Sequence, residues 1–530
     1  MKDVITSDVL VIGGGGAAMV SALKAAESGA EVVMVSKGPP GLLSCTAYAG
    51  GGFTAAVGGY EPDRHHDLTV ETGRGINDSH LVSTLAFEGA EALDWLEDRG
   101  VALDYVRGGA ALAGENLGKL VKGTAMTMPL LRWCERLGVK IHRGVRITAL
   151  LGEGFGGPVT GALGEDKSGE KKTFRAAATV LATGGGSWTF SHTDNPRGLT
   201  GDGYLLGFCA GCSLRDMEFV QFYPLGPGPD VSRTWYMDAR ILDRVRITDG
   251  EDRDFLTPLL KRWGLSSGRE INMLARDRLS RAIAQKRRDT GQVLLHLEDL
   301  SEGDRRDPRL AHRARLMSGP GVENPWRPVE VAPVSHFMCG GIAVDEWGRT
   351  EVERLLACGE VTGGVHGANR VGGNALTELT VFGIRAGKTA AGIAEEGNAR
   401  MVTERELAPR FIDLSRWTGR HVSVSQPYRR YAYEKIGPFR TTDSIEEFMA
   451  AVARRLGRGP FEESAHQERS LHWTGAAVAL AAHARRESRG THFNADFPEE
   501  SEDMAMPIRL IPLHKDGVIS ASVKIGESEE

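Results

Sequence analysis

The feature that most constrains the fold is a glycine-rich turn close to the start of the chain. Residues 9–12 (VLVI) form a short apolar run, residues 13–18 (GGGGAA) form the turn, an alanine-rich segment follows at 19–28, and a second apolar run lies at 31–35. This order of strand, turn, helix and strand is the setting that the G-x-G-x-x-A dinucleotide fingerprint requires. Glycines let the backbone approach a pyrophosphate, which the helix N-terminus stabilises. The predicted contacts of the turn are Gly13, Gly15, Gly16 and Ala17.

The end of the second strand argues against a nicotinamide cofactor. NAD-binding units usually carry Asp or Glu there to hold a ribose, whereas this chain has Ser36 followed by Lys37. The chain also lacks a second glycine fingerprint. An NAD(P) dehydrogenase is therefore a disfavoured alternative.

Further apolar strands recur far along the chain. Residues 177–182 (AATVLA) are followed by TGGG at 183–186, and residues 355–358 (LLAC) are followed by Gly359. Residues 200–203 (TGDG) open another helix, which Asp202 is predicted to cap. Strands so widely separated predict one α/β domain that is interrupted by an insertion. The insertion, residues 223–335, contains charged, helix-forming and proline-rich stretches and is expected to form a cap.

The predicted fold class is α/β, with a Rossmann-like cofactor domain interrupted by an α+β capping domain and followed by a helical domain. A helical pattern, as in residues 445–456, supports the last of these. The predicted boundaries are 1–222 and 336–399 for the two parts of the cofactor domain, 223–335 for the cap, 400–500 for the helical domain and 501–530 for a strand-poor tail.

The composition excludes several classes of protein. With 530 residues the chain is long enough for two to four domains. A net charge of -6 argues against general nucleic-acid binding. No signal-peptide pattern and no uncharged apolar run of about 18 residues is visible, so no transmembrane segment is expected. We expect a cytoplasmic protein, and the sequence leaves peripheral membrane association open.

Cys209 and Cys212 form a C-x-x-C pair, which can be a redox pair or half of a metal site. The pair lies in an apolar stretch, residues 204–212, that includes a glycine just before its end, and no second C-x-x-C exists. We therefore predict a buried helix here. Iron–sulfur clusters usually need four thiolates, so no cluster and no other metal site is expected in this chain.

Two later segments carry side chains suited to a carboxylate. Residues 336–342 (HFMCGGI) place His336 before a glycine pair, and residues 365–376 (VHGANRVGGNAL) place Arg370 before a glycine turn. A guanidinium presents donors in a rigid fork that matches a carboxylate. With these segments the chain resembles the flavoprotein subunits of succinate dehydrogenase and fumarate reductase, and also L-aspartate oxidase. Further motifs in the family order are SCT at 44–46, AGGG at 49–52, TGDG at 200–203, DMEFVQF at 216–222 and RDRLSR at 276–281.

The resemblance implies that the dinucleotide is FAD and that hydride passes between flavin N5 and a carbon next to a carboxylate. Arg276 matches the cap arginine that handles the proton on the neighbouring carbon. His336 and Arg370 match the pair that clamps one substrate carboxylate. The alternative for Arg276 is an ordinary ion pair with Asp277 or an adjacent acid.

The resemblance also implies further cofactor contacts. Glu360 matches a position that bonds the ribityl hydroxyls, and the helix start at residues 374–376 matches one that faces the pyrimidine end of the flavin. The full set beyond the glycine turn is Ser36, Lys37, Cys45, Thr46, Gly51, Gly52, Ala182, Thr183, Gly184, Asp202, Glu360, Asn374, Ala375 and Leu376.

Departures from the family pattern bear on specificity. Respiratory members carry a histidine at the position of Cys45 that bonds covalently to the flavin, so FAD is predicted to be non-covalent here, with a cysteinyl bond as the alternative. Tyr223 replaces a histidine of the second carboxylate clamp, and we count it among the catalytic positions. Asp238 is the nearest candidate for the glutamate of the proton relay, and Arg240 for its arginine.

The main hypothesis is an FAD-dependent oxidoreductase of the fumarate reductase or succinate dehydrogenase type, acting on a carboxylate-bearing C–C bond. The change to Tyr223 suggests an enoate other than fumarate as substrate. Alternatives are an L-aspartate oxidase and a flavin-carrying electron-transfer subunit of an iron–sulfur complex. Electrons are expected from a quinone route, from a separate iron–sulfur subunit or from a free reductant.

Overall fold

A computed structural model describes residues 4–118, 121–228, 235–396, 405–407, 411–414, 427–456 and 466–526. In chain order its strands are β1 Val4–Ile12, β2 Val32–Ser36, β3 Gly52–Thr54, β4 Leu103–Val106, β5 Gly109–Leu112, β6 Lys140–Arg143, β7 Val145–Gly152, β8 Val159–Asp166, β9 Lys171–Leu181, β10 Leu214–Arg215, β11 Val220–Pro227, β12 Ile247–Asp249, β13 Val293–His296, β14 Pro328–Met338, β15 Gly341–Ile342, β16 Leu355–Ala357, β17 Arg405–Glu406, β18 Phe411–Asp413, β19 Ile508–Lys515 and β20 Val518–Ile525.

The α-helices are α1 Gly16–Glu27, α2 Cys45–Tyr48, α3 Pro62–Thr72, α4 Ser79–Glu97, α5 Thr124–Arg136, α6 Asp202–Ala210, α7 Leu256–Trp263, α8 Gly268–Leu274, α9 Arg276–Thr290, α10 Glu302–Arg305, α11 Pro308–Ser318, α12 Asn374–Glu396, α13 Tyr428–Ile436, α14 Thr442–Leu456 and α15 His466–Ala484. Among the described residues, no helix combines the length and the apolar character needed to cross a membrane.

The main sheet has β1 at its centre, between parallel neighbours β2 and β9. Alternate side chains of β1 enter two different cores: Leu10 and Ile12 join one apolar cluster, and Val9 and Val11 join the other. Burial on both faces explains why the strand reads as an uninterrupted apolar run. β16 pairs in parallel with β9, which confirms that the strand at 355–358 returns to the first sheet.

The predicted order of strand, turn, helix and strand is confirmed, and its helix begins earlier than predicted, at Gly16 instead of residue 19. Helix α1 packs against the long helix α12. The two helices approach closely at Gly383 and Gly387 of α12, where an added Cβ would meet Val20 and the Ser21 carbonyl oxygen respectively. This contact brings the second part of the cofactor domain back onto the first.

The cap is carried by a separate sheet with the strand order β11-β14-β13-β12. The long strands β11 and β14 pair antiparallel and run from the cofactor domain into the cap, so the predicted boundaries after residues 222 and 335 fall inside continuous strands. Helices α7 to α11 and the apolar cluster around Ile271, Leu279 and Val293 complete the cap. The mixed α/β architecture with an inserted cap confirms the predicted fold class.

The C-terminal part is helical, as predicted, in α13, α14 and α15. Predicted helical residues at 400–404, 408–410, 415–426 and 457–465 lie outside the described residues. The prediction of a strand-poor tail is wrong. Strands β19 and β20, of eight residues each, form an antiparallel hairpin that pairs with β10 and β18. Ile508, Leu510, Pro512 and Ile519 are the buried apolar residues of the two strands, so the apolar alternation was too short to recognise in the sequence.

Candidate active site

One cavity of about 710 Å³ runs from the glycine turn after β1 to the cap. It is lined by every residue that the sequence analysis assigned to the catalytic and cofactor sites except Asn374. The side chain of Asn374 faces away instead: its amide contacts His65 Nε2 at 2.9 Å and donates to Thr69 Oγ1 at 3.0 Å. Asn374 therefore fastens the start of α12 to α3, and its assignment as a cofactor ligand is not supported by a contact with the cavity.

The glycine turn forms one end of the cavity. Gly13 has a φ of 150°, and a Cβ there would collide with the Ala182 carbonyl oxygen. Gly15 caps α1 without a side-chain hydrogen bond, and Gly16 N–H donates to Thr46 Oγ1 at 3.1 Å. An uncapped helix N-terminus with bare backbone is suited to a phosphate group.

Ser36, Lys37 and Asp202 lie beside the turn. Ser36 Oγ donates to the Gly38 carbonyl oxygen at 3.0 Å. Lys37 Nζ donates to Asp202 Oδ2 at 2.6 Å and to Thr200 Oγ1 at 3.2 Å. Burial alone would raise the pKa of Asp202, but Lys37 holds that pKa below its ordinary value.

The prediction that Asp202 caps its helix is wrong. Gly201, in the left-handed region at a φ of 75°, occupies the N-cap, and no side chain bonds the free N–H groups there. Asp202 instead sits in the first turn, where its negative charge still favours the helix. The predicted buried helix that ends at a glycine is confirmed: α6 ends at Ala210 with Gly211 as its C-cap, so Cys209 lies in the helix and Cys212 follows it. Burial raises the pKa of both thiols to about 12, so they remain protonated.

Cys45 begins the short helix α2 and faces the middle of the cavity, together with Thr46, Gly51 and Gly52. Its thiol donates to Asn195 Oδ1 at 3.0 Å. Burial, reinforced by Glu360, raises the pKa of the Cys45 thiol well above its ordinary value. A protonated thiol is a poor nucleophile, which supports the expectation that no covalent bond to the flavin forms here.

Glu360 also lines the cavity, beside Gly185 and next to the Cys45 thiol, and accepts a hydrogen bond from Met338 N–H at 3.1 Å. Burial raises the pKa of Glu360 to about 7. The carboxyl group can therefore offer either a donor or an acceptor to hydroxyl groups of a ligand near neutral pH.

Arg370 is a buried cation whose polar contacts are neutral. Its Nη2 donates to Gln221 Oε1 at 3.1 Å, its Nη1 donates to the Val371 carbonyl oxygen at 3.3 Å, and its Nε has no partner among the described residues. Burial and then the nearby Arg276 lower the pKa of Arg370 to about 10. Two guanidinium groups that face one cavity without an acid between them form a site for an anion.

His336, on β14, lies on the same side of the cavity. Its Nδ1 is 2.6 Å from Asp194 Oδ2, so the ring proton is assigned to Nδ1. Asn195 Nδ2 donates to Asp194 Oδ1 at 3.0 Å and to the His336 carbonyl oxygen at 2.9 Å. Burial lowers the pKa of His336 in spite of Asp194, so the ring is neutral at neutral pH.

Arg276 enters the cavity from the cap, at the first residue of α9. Its Nε donates to the carbonyl oxygen of Asn272 at 2.6 Å and to Asn272 Oδ1 at 3.2 Å. The predicted alternative, a pair with Asp277, does not form, because Asp277 lies 3.5 Å from Arg74 instead. Arg276 is thus held by an amide and keeps its remaining donors for the cavity.

Tyr223 acts on Arg276 through Asn272. The Tyr223 hydroxyl donates to Asn272 Oδ1 at 2.7 Å and accepts from Ala239 N–H at 3.0 Å. Both its donor and an acceptor position are therefore used inside the protein. The candidate relay pair, Asp238 and Arg240, lies further out and forms its own ion pair at 2.8 Å.

Several residues of this site were missed in the sequence. Asn272 lies four residues before Arg276, on the other side of the break at Ala275 between α8 and α9, so the sequence gave no helical spacing that linked them. Gln221 belongs to the DMEFVQF motif but carried no role there. Asp194 had no signal, because its partner His336 is 142 residues away.

Comparisons with known proteins agree with this arrangement. A family model described as FAD binding domain matches residues 8–376, and one described as fumarate reductase flavoprotein C-term matches residues 462–517. A fumarate reductase (CoM/CoB) subunit of Methanothermobacter marburgensis is 32% identical over 537 residues, which cover 95% of this chain and 96% of that protein.

L-aspartate oxidase of Streptomyces coelicolor is 31% identical over 542 residues, which cover 94% of this chain and 90% of that protein. Among solved structures, Mycobacterium smegmatis Sdh1 in complex with UQ1 is 25% identical, with a TM-score of 0.81, and the match covers 100% of this chain and 95% of that chain. The chain therefore belongs to the flavoprotein superfamily of succinate dehydrogenase, fumarate reductase and L-aspartate oxidase, and it is an FAD-dependent oxidoreductase.

Proposed function

We propose that the protein reduces, or in reverse forms, the C–C double bond of an α,β-unsaturated carboxylate, in the manner of fumarate reductase and succinate dehydrogenase. One observation carries this proposal: Arg370 is a buried cation without an acidic partner, and it shares its cavity with Arg276 and His336. An unpaired buried cation is costly in the empty protein and is stabilised when an anion enters.

The cavity fits FAD. The glycine turn has no room for a side chain at Gly13, because a Cβ there would collide with Ala182. The turn leads directly into the uncapped start of α1. These residues would hold the pyrophosphate, Glu360 would bond hydroxyl groups of the ribityl chain, and Ala375 and Leu376 would face the ring system. When bound, FAD supplies or accepts a hydride at its ring system.

Arg370 and His336 hold the substrate carboxylate. Each Nη of Arg370 keeps a second N–H for the carboxylate oxygens, because the Gln221 Oε1 and the Val371 carbonyl oxygen take one N–H each. A hydrogen bond from His336 to the same group would require its ring to take up a proton, with Asp194 stabilising the resulting charge. Withdrawal of electron density by these cations polarises the adjacent double bond for hydride addition.

Arg276 handles the proton. In the reducing direction, the carbon β to the gripped carboxylate gains a hydride, and the α carbon gains a proton from the guanidinium of Arg276. The π bond breaks, and its two electrons form the new C–H bond at the α carbon. The two electrons of the new C–H bond at the β carbon come with the hydride. Arg276 then regains its proton from water. Closure of the cap over the cavity would bring this residue to the substrate and exclude other donors.

We propose that electrons arrive through a separate iron–sulfur subunit. The Methanothermobacter marburgensis relative is named as one subunit of a fumarate reductase, which supports a multi-subunit assembly. Co-purification of the tagged chain from its native host, followed by iron analysis of the bound proteins, tests this part of the proposal.

The reaction is tested with FAD-loaded protein that has been reduced under anaerobic conditions. We expect α,β-unsaturated carboxylates to reoxidise the flavin and the corresponding saturated acids to leave it reduced. If none of a broad panel of enoates reoxidises the flavin faster than buffer does, the proposal fails.

L-aspartate oxidase activity is the second candidate, because relatives with that name are about as similar as the fumarate reductase relative. Arg370 and His336 would bind the carboxylate of an amino acid equally well. Release of hydrogen peroxide from air-saturated protein on addition of L-aspartate would favour this candidate, and its absence together with enoate reduction would favour the first.

A further inference from the structure

The cavity that contains Arg370 is bounded in part by four aromatic side chains that we call the aromatic wall. The rings of Tyr223 and Tyr236 lie 4.2 Å apart, and Tyr48 stacks on Trp235 at 5.8 Å with an angle of 14° between the ring planes. Tyr236 also meets the His336 ring edge-on at 5.5 Å. The wall therefore lies directly beside the group that holds the substrate carboxylate.

Tyr223 offers no spare proton to a second carboxylate. Members of the resembled family carry a histidine where this chain has Tyr223. The Tyr223 hydroxyl already donates to Asn272 and accepts from Ala239 N–H, so it has no proton left to offer a ligand.

Charged groups near the wall are paired with protein atoms. Arg240 forms an ion pair with Asp238, which also lines the cavity. Arg313 donates to the Tyr236 carbonyl oxygen at 3.1 Å and lies 5.1 Å from the centre of the Tyr236 ring. In the part of the chain that the structure describes, Arg276 is the cation left to face a ligand on this side: it lies 5.1 Å from the centre of the Tyr223 ring and lines the cavity, whereas Arg313 does not.

We propose that the substrate is a 3-aryl-substituted α,β-unsaturated monocarboxylate. This inference rests on the proposed function and names its substrate class. The carboxylate lies between Arg370 and His336, and the aryl ring packs on the aromatic wall in the place of a second carboxylate. The β carbon gains a hydride from reduced FAD, the α carbon gains a proton from Arg276, and the product is the 3-arylpropanoate with oxidised FAD.

The test compares three acceptors with the reduced holoprotein: 3-phenylpropenoate, but-2-enoate and fumarate. Aromatic contacts beyond simple burial predict a kcat/KM for 3-phenylpropenoate at least ~10-fold above that for fumarate. A second measurement does not depend on turnover. The unreactive acids 3-phenylpropanoate and succinate are bound to the oxidised holoprotein, and binding is monitored through the absorbance change of the flavin. The expected dissociation constant is at least ~10-fold lower for 3-phenylpropanoate.

Variants of the wall locate the effect. Trp235→Leu should lower the ratio of kcat/KM for 3-phenylpropenoate to that for but-2-enoate by about 5-fold to 10-fold, because the phenyl ring of the substrate loses the indole ring on which it packs. Trp347→Leu is the matched control, because Trp347 is 39% exposed and packs on Arg385. The ratio should stay unchanged in this control.

Each outcome decides between the claims. Preference for fumarate and succinate would overturn the substrate class and leave the proposed function standing. Failure of every enoate would refute the proposed function; tighter binding of 3-phenylpropanoate than of succinate would then still support recognition of an aryl monocarboxylate. Failure of both measurements would refute both claims.

Discussion

We expect two buried arginines, Arg370 and Arg440, to have opposite roles in this protein. Arg440 donates from Nε to the Ile436 and Gly437 carbonyl oxygens and from Nη1 to the Glu218 carbonyl oxygen. Arg370 has fewer such contacts: its Nη2 donates to Gln221 Oε1 and its Nη1 donates to the Val371 carbonyl oxygen. We therefore infer that Arg440 supports the fold and that Arg370, which lines the cavity, is available to a ligand.

Substitution separates these roles. Arg370→Gln should lower kcat/KM for an enoate at least ~100-fold, because a charge-assisted grip on the carboxylate is lost. Its free energy of unfolding should stay the same or rise by about 1 kcal/mol, since an unpaired buried charge is removed. Arg440→Gln should instead lose about 2 kcal/mol of unfolding free energy. Urea denaturation and steady-state kinetics check both, and an Arg370→Gln protein as unstable as Arg440→Gln would contradict this assignment.

The proton on His336 should couple carboxylate binding to pH. Burial lowers the pKa of His336, so its ring is neutral at pH 7 in the ligand-free protein. The one ring proton is on Nδ1, which donates it to a hydrogen bond with Asp194. Binding a carboxylate through Nε2 then requires proton uptake, so affinity should fall as pH rises, by up to about tenfold per pH unit above the pKa. Calorimetry of 3-phenylpropanoate binding in buffers of different ionisation enthalpy measures the uptake. His336→Gln should remove it, and binding without proton uptake in the wild-type protein would contradict this role.

Tyr223 is expected to affect turnover more than binding. Its hydroxyl orients Asn272, which in turn holds Nε of Arg276. Tyr223→Phe should lower kcat about tenfold, while the dissociation constant of the saturated acid changes less than about twofold. Tyr60→Phe is the control, because the Tyr60 hydroxyl bonds the Arg64 carbonyl oxygen at an exposed position. An equal change in kcat in both variants, or a loss of binding alone, would count against the positioning role.

Among the elements, the crossing of α1 and α12 assembles the cofactor domain from two distant parts of the chain. A Cβ at Gly387 would collide with the Ser21 carbonyl oxygen of α1, whereas a Cβ at Gly392, five residues along the same helix, would meet nothing within 4 Å. The same substitution should therefore have opposite signs at the two positions.

Gly387→Ala should cost about 1–3 kcal/mol of unfolding free energy, because the helices must separate or shift. Gly392→Ala should gain about 0.5–1 kcal/mol, the ordinary benefit of alanine within a helix. Urea unfolding of the FAD-free and FAD-loaded proteins measures both. Similar effects at the two sites would show that the crossing is looser than described.

The elements also show which parts of the fold could be predicted from the sequence. The strand, turn and helix around Gly13 were predictable, because local spacing alone specifies them. The hairpin of β19 and β20 was missed, since few of its residues are buried and its partners are far away in the sequence. The role of Asp202 was misassigned because a residue at a helix start can cap it or pair elsewhere, and Lys37 decided the matter.

At the scale of the whole molecule, the site is built where the cofactor domain meets the cap. β11 and β14 run through both, so Tyr223 and His336 are placed by the same pair of strands. Arg370 and Arg276 then enter from opposite sides. The motifs identified these four residues, but contacts such as Asp194 with His336 depend on topology and could not be read from spacing.

The central claim is that two cationic side chains bind a substrate carboxylate beside bound FAD. The most direct measurement compares the enoate that best reoxidises the reduced, FAD-loaded protein with its primary amide, which has the same shape and no charge. We predict that kcat/KM for the acid exceeds that for the amide at least ~100-fold in the wild-type protein, and that Arg370→Gln removes most of the difference. Equal rates for acid and amide in the wild-type protein would contradict the account.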